Sequence, residues 1–267
     1  MIRRAAVAGT FYPGAARALR VQVEDLLSPG EQKTEALGVV VPHAGYLYSG
    51  RVAGAVYAQV SLPETCVVLG PNHTGLGAGA AIMTSGSWET PLGEVAIDTE
   101  LARAILDRSR VLEEDDQAHQ REHSIEVQLP FLQVLSPATP FVPICLLSHE
   151  YGVCQDVGQT VAEVVKAAGR RVLLIASTDM SHYIPQDMAE VKDRMAIEAI
   201  LDLDPLRLHT TVLRERISMC GFHPTTAMLI AAKALGAAQA ELVCYTTSGD
   251  VTKDYASVVG YAGLIIR

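Results

Sequence analysis

The 267-residue sequence predicts one α/β domain in three layers, α/β/α, around a mostly buried mixed sheet. Three observations lead there. Runs of about five to seven Val, Ile and Leu recur uninterrupted rather than alternating with polar residues, the pattern of strands covered on both faces. Stretches with helical spacing separate these runs from one end of the chain to the other. No Pro/Ser-rich linker, internal repeat or low-complexity stretch divides the chain, so a single domain over 1–267 is expected.

In chain order, 38–42 reads as a strand, 51–60 as a helix, 65–70 as a second strand and 80–84 as a third. A helix over 99–108 opens on Asp98, a residue type that caps helix N-termini. A further helix is expected over 123–135 and a strand over 141–147. Helix 153–168 leads into 171–176, the most apolar strand. Helices over 186–203, 205–216 and 224–235 follow, the last with Pro224 at its first position. Strands over 241–246 and 257–266 finish the chain.

Composition narrows the function. Lys and Arg total 21 against 30 Asp and Glu, a net charge of −9, and the basic runs are as short as Arg3-Arg4 and Arg170-Arg171. Nucleic acid, which is held by clustered cations, is therefore not an expected partner. No apolar run approaches the roughly 20 residues of a membrane span, and Thr10 to Gly14 interrupt the N-terminal segment before a secretory core forms. Five scattered cysteines, 66, 145, 154, 220 and 244, suit a reduced cytoplasmic protein. A chain this long buries roughly 70–75% of its unfolded surface, so a metal found here is expected to serve function rather than folding.

Ligands of such sheets gather at the carboxyl ends of strands. Three strand ends carry ionisable residues: one runs into His43, one into Asn72 and His73, and one into Asp179 and His182. If these strands are neighbours, three histidines and an aspartate converge. Cys220 precedes a helix start, a placement that favours the thiolate. Cys66, Cys145 and Cys244 suit the core, and His119, His149 and His209 are expected at the surface. The segment 115–126 is dense in Asp, Glu and His; part of that is helix entry, with Glu122 or His123 placed to line the same cavity. Tyr46, Tyr48 and Tyr183 are candidate pocket walls. The glycines at 75–79 do not form G-x-G-x-x-G, and no nucleophile elbow, P-loop or C-x-x-C occurs.

At these residues the chain resembles the Memo family, and within it the branch named AmmeMemoRadiSam system protein B. The matching stretches are AVAGTFYP at 6–13, VPHAGY at 41–46, YSG at 48–50, LGPNHTG at 69–75 and TPLGE at 90–94. EHSIEVQLP at 122–130, ASTDMSHY at 176–183, MCG at 219–221, TSGDV at 247–251 and VVGY at 258–261 complete the set. The resemblance implies a fold shared with class III extradiol ring-cleaving dioxygenases, which carry a non-haem iron site. It places metal binding on His43, His73 and Cys220, and the acid/base histidine on His182 with Asp179 beside it. His123 falls in the family's EHSIE stretch as a site-lining residue.

Those dioxygenases use two histidines and a carboxylate. A thiolate in the carboxylate's place implies Fe(II) or copper, with zinc a lesser candidate, and sets orthodox ring cleavage in doubt. Three readings follow. The first is a metal-dependent redox protein acting on an unidentified small molecule. The second is an adaptor for phosphorylated peptides, as described for some Memo relatives, although no Arg-rich pocket is evident. The third is a hydrolase, using zinc-activated water or a Cys220–His182 pair. The branch name implies association with Ammecr-type and radical-SAM proteins.

Overall fold

Uninterrupted β-branched runs form the centre of the molecule. In the computed structural model, which describes residues 1–27 and 33–267, every residue of four strands is buried: Gly38–Val41, Thr65–Pro71, Phe141–Leu146 and Val172–Ser177. The elements run β1 (Ile2–Arg3), α1 (Ala16–Leu26), β2 (Gly38–Val41), α2 (Tyr46–Gln59), β3 (Thr65–Pro71), β4 (Ala80–Ile82), β5 (Ser87–Thr90) and β6 (Gly93–Ala96). They continue with α3 (Thr99–Arg108), β7 (Glu113–Glu114), α4 (Gln117–Gln120), α5 (Leu129–Leu135), β8 (Phe141–Leu146), α6 (Tyr151–Ala168), β9 (Val172–Ser177) and β10 (His182–Ile184). The last are α7 (Gln186–Leu201), α8 (Pro205–Arg214), α9 (Phe222–Ala234), β11 (Ala240–Thr247), α10 (Gly249–Thr252) and β12 (Val258–Ile266).

The main sheet has the order β10-β12-β2-β9-β3-β8-β4-β7, with β11 paired on β12. Its central four strands, β2-β9-β3-β8, are parallel, while β12 and β4 run antiparallel on either flank. The sheet is thus mixed, as predicted. Strands β1, β5 and β6 form a small second sheet.

Two glycines show that helices cover both faces. Gly38 on β2 pairs with Ile266 on β12, so Gly263 lies out of phase with it and faces the opposite side. A Cβ at Gly38 would come within 2.7 Å of Met228 Sδ on α9, and one at Gly263 within 2.5 Å of Val56 Cγ2 on α2. Close helix packing on each face therefore needs glycine at both places. This is the three-layer α/β/α architecture.

Several local expectations change. Asp98 does cap α3, accepting from the Leu101 N–H. The helix expected over 123–135 is instead a 3-10 turn at Glu126–Gln128 running into the short α5, with Pro130 in its first turn. Glu122 accepts the His123 and Ser124 N–H groups at the head of this segment, which a first turn would leave without helical partners. Helix α9 starts at Phe222, two residues before Pro224, which a first turn tolerates because its N–H groups lack helical partners anyway. The expectation of surface positions fails for His119 and His209, both buried, and holds for His149. His119 packs edge-on against Trp88, and His209 against Tyr151 and Phe222. Helix α1 escaped the sequence reading because it buries only Leu19 and Val23, a narrow stripe. Among the described residues, no helix is long and apolar enough to cross a membrane.

Candidate metal centre

The three sequence-selected strand ends are adjacent. Strands β2, β9 and β3 lie side by side and parallel, so His43, Asp179 and His73 leave the same edge of the sheet. His123 reaches that edge from the loop ahead of the 3-10 turn. One nitrogen from each of His43, His73 and His123 lies within 4.8 Å of the others, the spacing of a metal-ligand group. The His73 and His123 rings stack with centroids 4.7 Å apart, and His43 stands edge-on to both at 5.1 and 5.4 Å.

Hydrogen bonds decide which nitrogens are available. The Ser177 hydroxyl donates to the Ser124 carbonyl at 2.6 Å, so at His43 Nδ1, 3.0 Å away, it accepts. His43 therefore carries its proton on Nδ1 and leaves an Nε2 lone pair. Gln128 Nε2 also donates to Ser177 Oγ at 2.9 Å, holding that hydroxyl in place. At His73, Nδ1 lies 2.9 Å from Glu122 Oε1, an ionised acceptor, so Nε2 is again the free nitrogen. The Nδ1 of His123 faces the same oxygen at 3.5 Å.

Cys220 Sγ sits 3.2 Å from His43 Nε2 and receives the Asp179 N–H at 3.3 Å. With Nε2 unprotonated, the thiol donates to it. The expectation of a lowered thiol pKa is reversed here: burial, then the nearby Asp179 carboxylate, push the Cys220 thiol up. The helix start that suggested a thiolate is too weak to offset that enclosure.

The charges around the three imidazoles divide by partner. Burial, followed by His123, His73 and His182, holds His43 well below the usual imidazole value. Burial likewise lowers His123. Burial would lower His73 too, but the hydrogen bond and charge of Glu122 outweigh it and raise the ring. Burial opposes ionisation of Glu122, yet the His73 hydrogen bond and charge bring its carboxyl down to about 2. Asp179, accepting from the His43 and Ala44 N–H groups at 2.8 and 3.3 Å, is raised by burial.

A cavity of about 670 Å³ opens over this edge. His43, His73, His123, Asp179 and His182 line one side; Phe11, Tyr48, Tyr183 and Tyr261 line the walls. No Lys or Arg lines it among the described residues. His182 Nδ1 donates to the Ser218 carbonyl at 2.9 Å, leaving Nε2 as the proton acceptor. Of the tyrosines expected as walls, Tyr46 instead turns inward and donates to the Val127 carbonyl.

Sequence reasoning gave Thr10, Phe11 and Tyr261 no role. Phe11 packs on the His123 ring at 4.7 Å, and it is placed there by Glu126. That buried carboxylate accepts from the Ala6 and Val7 N–H groups, from Tyr12 Oη and from Arg3. The matching stretches 6–13 and 258–261 contain these residues, but the pairing of buried Glu126 with distant N-terminal groups that places Phe11 is not visible in spacing.

Comparisons with known proteins agree over the whole length. A family model described as "Memo-like protein" matches residues 3–265. A MEMO1 family protein of Methanopyrus kandleri is 46% identical over 281 residues, covering 100% of this chain and 99% of its own. One from Methanocaldococcus jannaschii is 42% identical over 285 residues, with the same coverage of 100% and 99%. Among solved structures, the crystal structure of an uncharacterized Escherichia coli K12 protein superimposes with a TM-score of 0.58 at 15% identity. That match covers 85% of this chain and 98% of the other, and it bears on the fold alone.

Proposed function

The chain belongs to the family of Memo-like proteins, and from that premise we propose that it is a metal-binding redox protein holding iron(II) or copper. The observation that carries the reading is the convergence of His43, His73 and His123 nitrogens beneath an aromatic-walled cavity. The residues fit a divalent cation: two imidazoles have Nδ1 engaged by protein acceptors, and the Glu122 and Asp179 carboxylates supply compensating charge.

In this reading His43 and His73 are ligands, with His123 as the third nitrogen and Cys220 as a sulfur donor once its proton leaves. Three nitrogens and a thiolate suit copper, iron or zinc better than magnesium or calcium. A bound iron or copper ion would supply one-electron chemistry and a site for a small ligand. His182 accepts a proton at Nε2 from a molecule in the cavity, with Nδ1 fixed on the Ser218 carbonyl. Asp179 orients the loop of His43 through its two backbone hydrogen bonds. Phe11, Tyr48, Tyr183 and Tyr261 offer aromatic walls for the ligand's far side.

The phosphopeptide reading finds no Lys or Arg among the described residues of the cavity wall to receive a phosphate. A Cys220–His182 nucleophile pair finds no support either, because the thiol bonds His43. Association with Ammecr-type and radical-SAM proteins is part of this proposal, tested by pull-down with each purified partner. So is a cytoplasmic location, which the five free cysteines fit.

The test is metal content of anaerobically purified protein, wild type beside Cys220→Ala. Near-stoichiometric iron or copper in the wild type, reduced in the variant, is expected. Zinc in its place would move the reading to hydrolysis. Protein that stays metal-free and takes up no added iron(II), copper or zinc would overturn it.

A further inference from the structure

Glu122 is not among the proposed ligands, yet it organises two of the three imidazoles. Its side chain is wholly buried. It accepts from the backbone N–H groups of His73, His123 (2.9 Å) and Ser124 (2.8 Å), and from His73 Nδ1 at 2.9 Å. His123 Nδ1 faces the same carboxylate oxygen at 3.5 Å. One buried acidic group thus ties the loop after β3 to the loop before the 3-10 turn, and both carry a site histidine.

The two firmly held histidines are held differently. His43 is buried, and its ring is pinned by the Ser177 hydroxyl from beneath. The His73 side chain is 33% exposed and stands on a turn whose Gly75 and Gly77 adopt positive φ. Its only side-chain hydrogen bond among the described residues is the one to Glu122. Without that bond, nothing chooses between its two tautomers or holds its ring against His123.

We propose that Glu122 is the positioning residue of the metal centre: it fixes His73 as the Nδ1–H tautomer, turns Nε2 of His73 toward the ion, and adds a negative charge behind it. This rests on the metal-centre reading above. An ionised carboxylate only accepts, so the tautomer follows from the geometry. A carboxylate behind a ligating imidazole also raises the ligand's basicity, and losing such a partner typically costs about 10–100-fold in metal affinity.

Two measurements test it. In metal-free wild type at alkaline pH, a two-bond 1H–15N correlation spectrum is expected to show His73 protonated on Nδ1. Protonation on Nε2 would overturn the proposal, and this readout needs no variant to fold. Cobalt(II) titration then compares wild type, Glu122→Gln and Glu122→Asp by visible absorption. Binding weakened about 10–100-fold in Glu122→Gln and partly restored in Glu122→Asp is expected. Equal affinity in wild type and Glu122→Gln would overturn the positioning role and leave the metal centre standing. A wild type that binds no cobalt(II) would overturn both.

Discussion

This protein holds two trios of contacting histidines, and they differ in what stands behind the rings. His43, His73 and His123 have a hydroxyl, a buried carboxylate and backbone groups arranged so that nitrogens converge. The second trio is His149, past the end of β8, His209 on α8 and His223 in the first turn of α9. Its ring centroids lie 4.7 Å (His149–His223) and 5.6 Å (His209–His223) apart, nearly as close as those of the first. No carboxylate bonds any of the three among the described residues. His209 Nε2 meets only the His149 carbonyl at 3.3 Å, and His223 Nε2 is buried with no partner. Its nitrogens do not form a ligand group. Close imidazoles alone do not make a metal site; the acceptors that set tautomer and direction do.

The electrostatics repeat the contrast. Glu122 raises His73 despite burial, whereas burial, then His149 and His209, press His223 down to about 3. Burial lowers His43 and His123 as well, so the contrast lies in one ring, His73, which a buried carboxylate raises.

The sharpest way to break the comparison is to remove one ring from each trio. His73→Ala is expected to lower metal affinity by about a hundredfold or more, exceeding the loss of a supporting group. His223→Leu is expected to leave metal content unchanged, measured by plasma emission on dialysed protein. Loss of metal in the second variant would erase the distinction.

Acid sensitivity comes next. Unfolded His223 takes up a proton near pH 6.5, whereas the folded ring resists until about 3. Between these values the unfolded state binds more protons, so stability falls as pH drops from 6.5 toward 3. His223→Leu is expected to flatten the stability slope over that window by up to about 1.4 kcal/mol per pH unit, the value of one proton. Urea unfolding of the metal-free protein between pH 4 and 7 measures it. An unchanged slope would mean that His223 is hydrated or paired.

The smallest effect is at pH 8, where His223 is neutral in both the folded and the unfolded state. There His223→Leu removes a buried, unpartnered nitrogen and keeps an apolar side chain of similar size. Its stability is expected to stay within about 1 kcal/mol of wild type. A larger loss would show that the ring's packing on Phe222 matters more than its unmet polarity.

What the sequence disclosed of the site tracks how locally each residue is determined. His43, His73, Asp179 and His182 follow directly from apolar strands that end in loop residues, and the parallel order β2-β9-β3 brings the first three together. His123 was legible as a cavity residue but not as one of three converging nitrogens. Its position depends on the buried Glu122 tying its loop to that of His73, a long-range contact that periodicity does not carry. The state of Cys220 was misread because a helix start is visible in sequence, whereas enclosure by Asp179 and His43 is not. Buried His119 and His209 failed for the same reason: only the fold brings Trp88 to one and Phe222 to the other. The fold class was legible because buried parallel strands write their burial into every residue.

On the proposed reading, the metal lies among His43, His73 and His123, with Cys220 beside it. Anomalous diffraction at the cobalt edge, from crystals grown with cobalt(II), tests it most directly. One strong peak within bonding distance of His43 Nε2 and His73 Nε2 is expected. A peak between His149, His209 and His223, or none at any histidine, would contradict it.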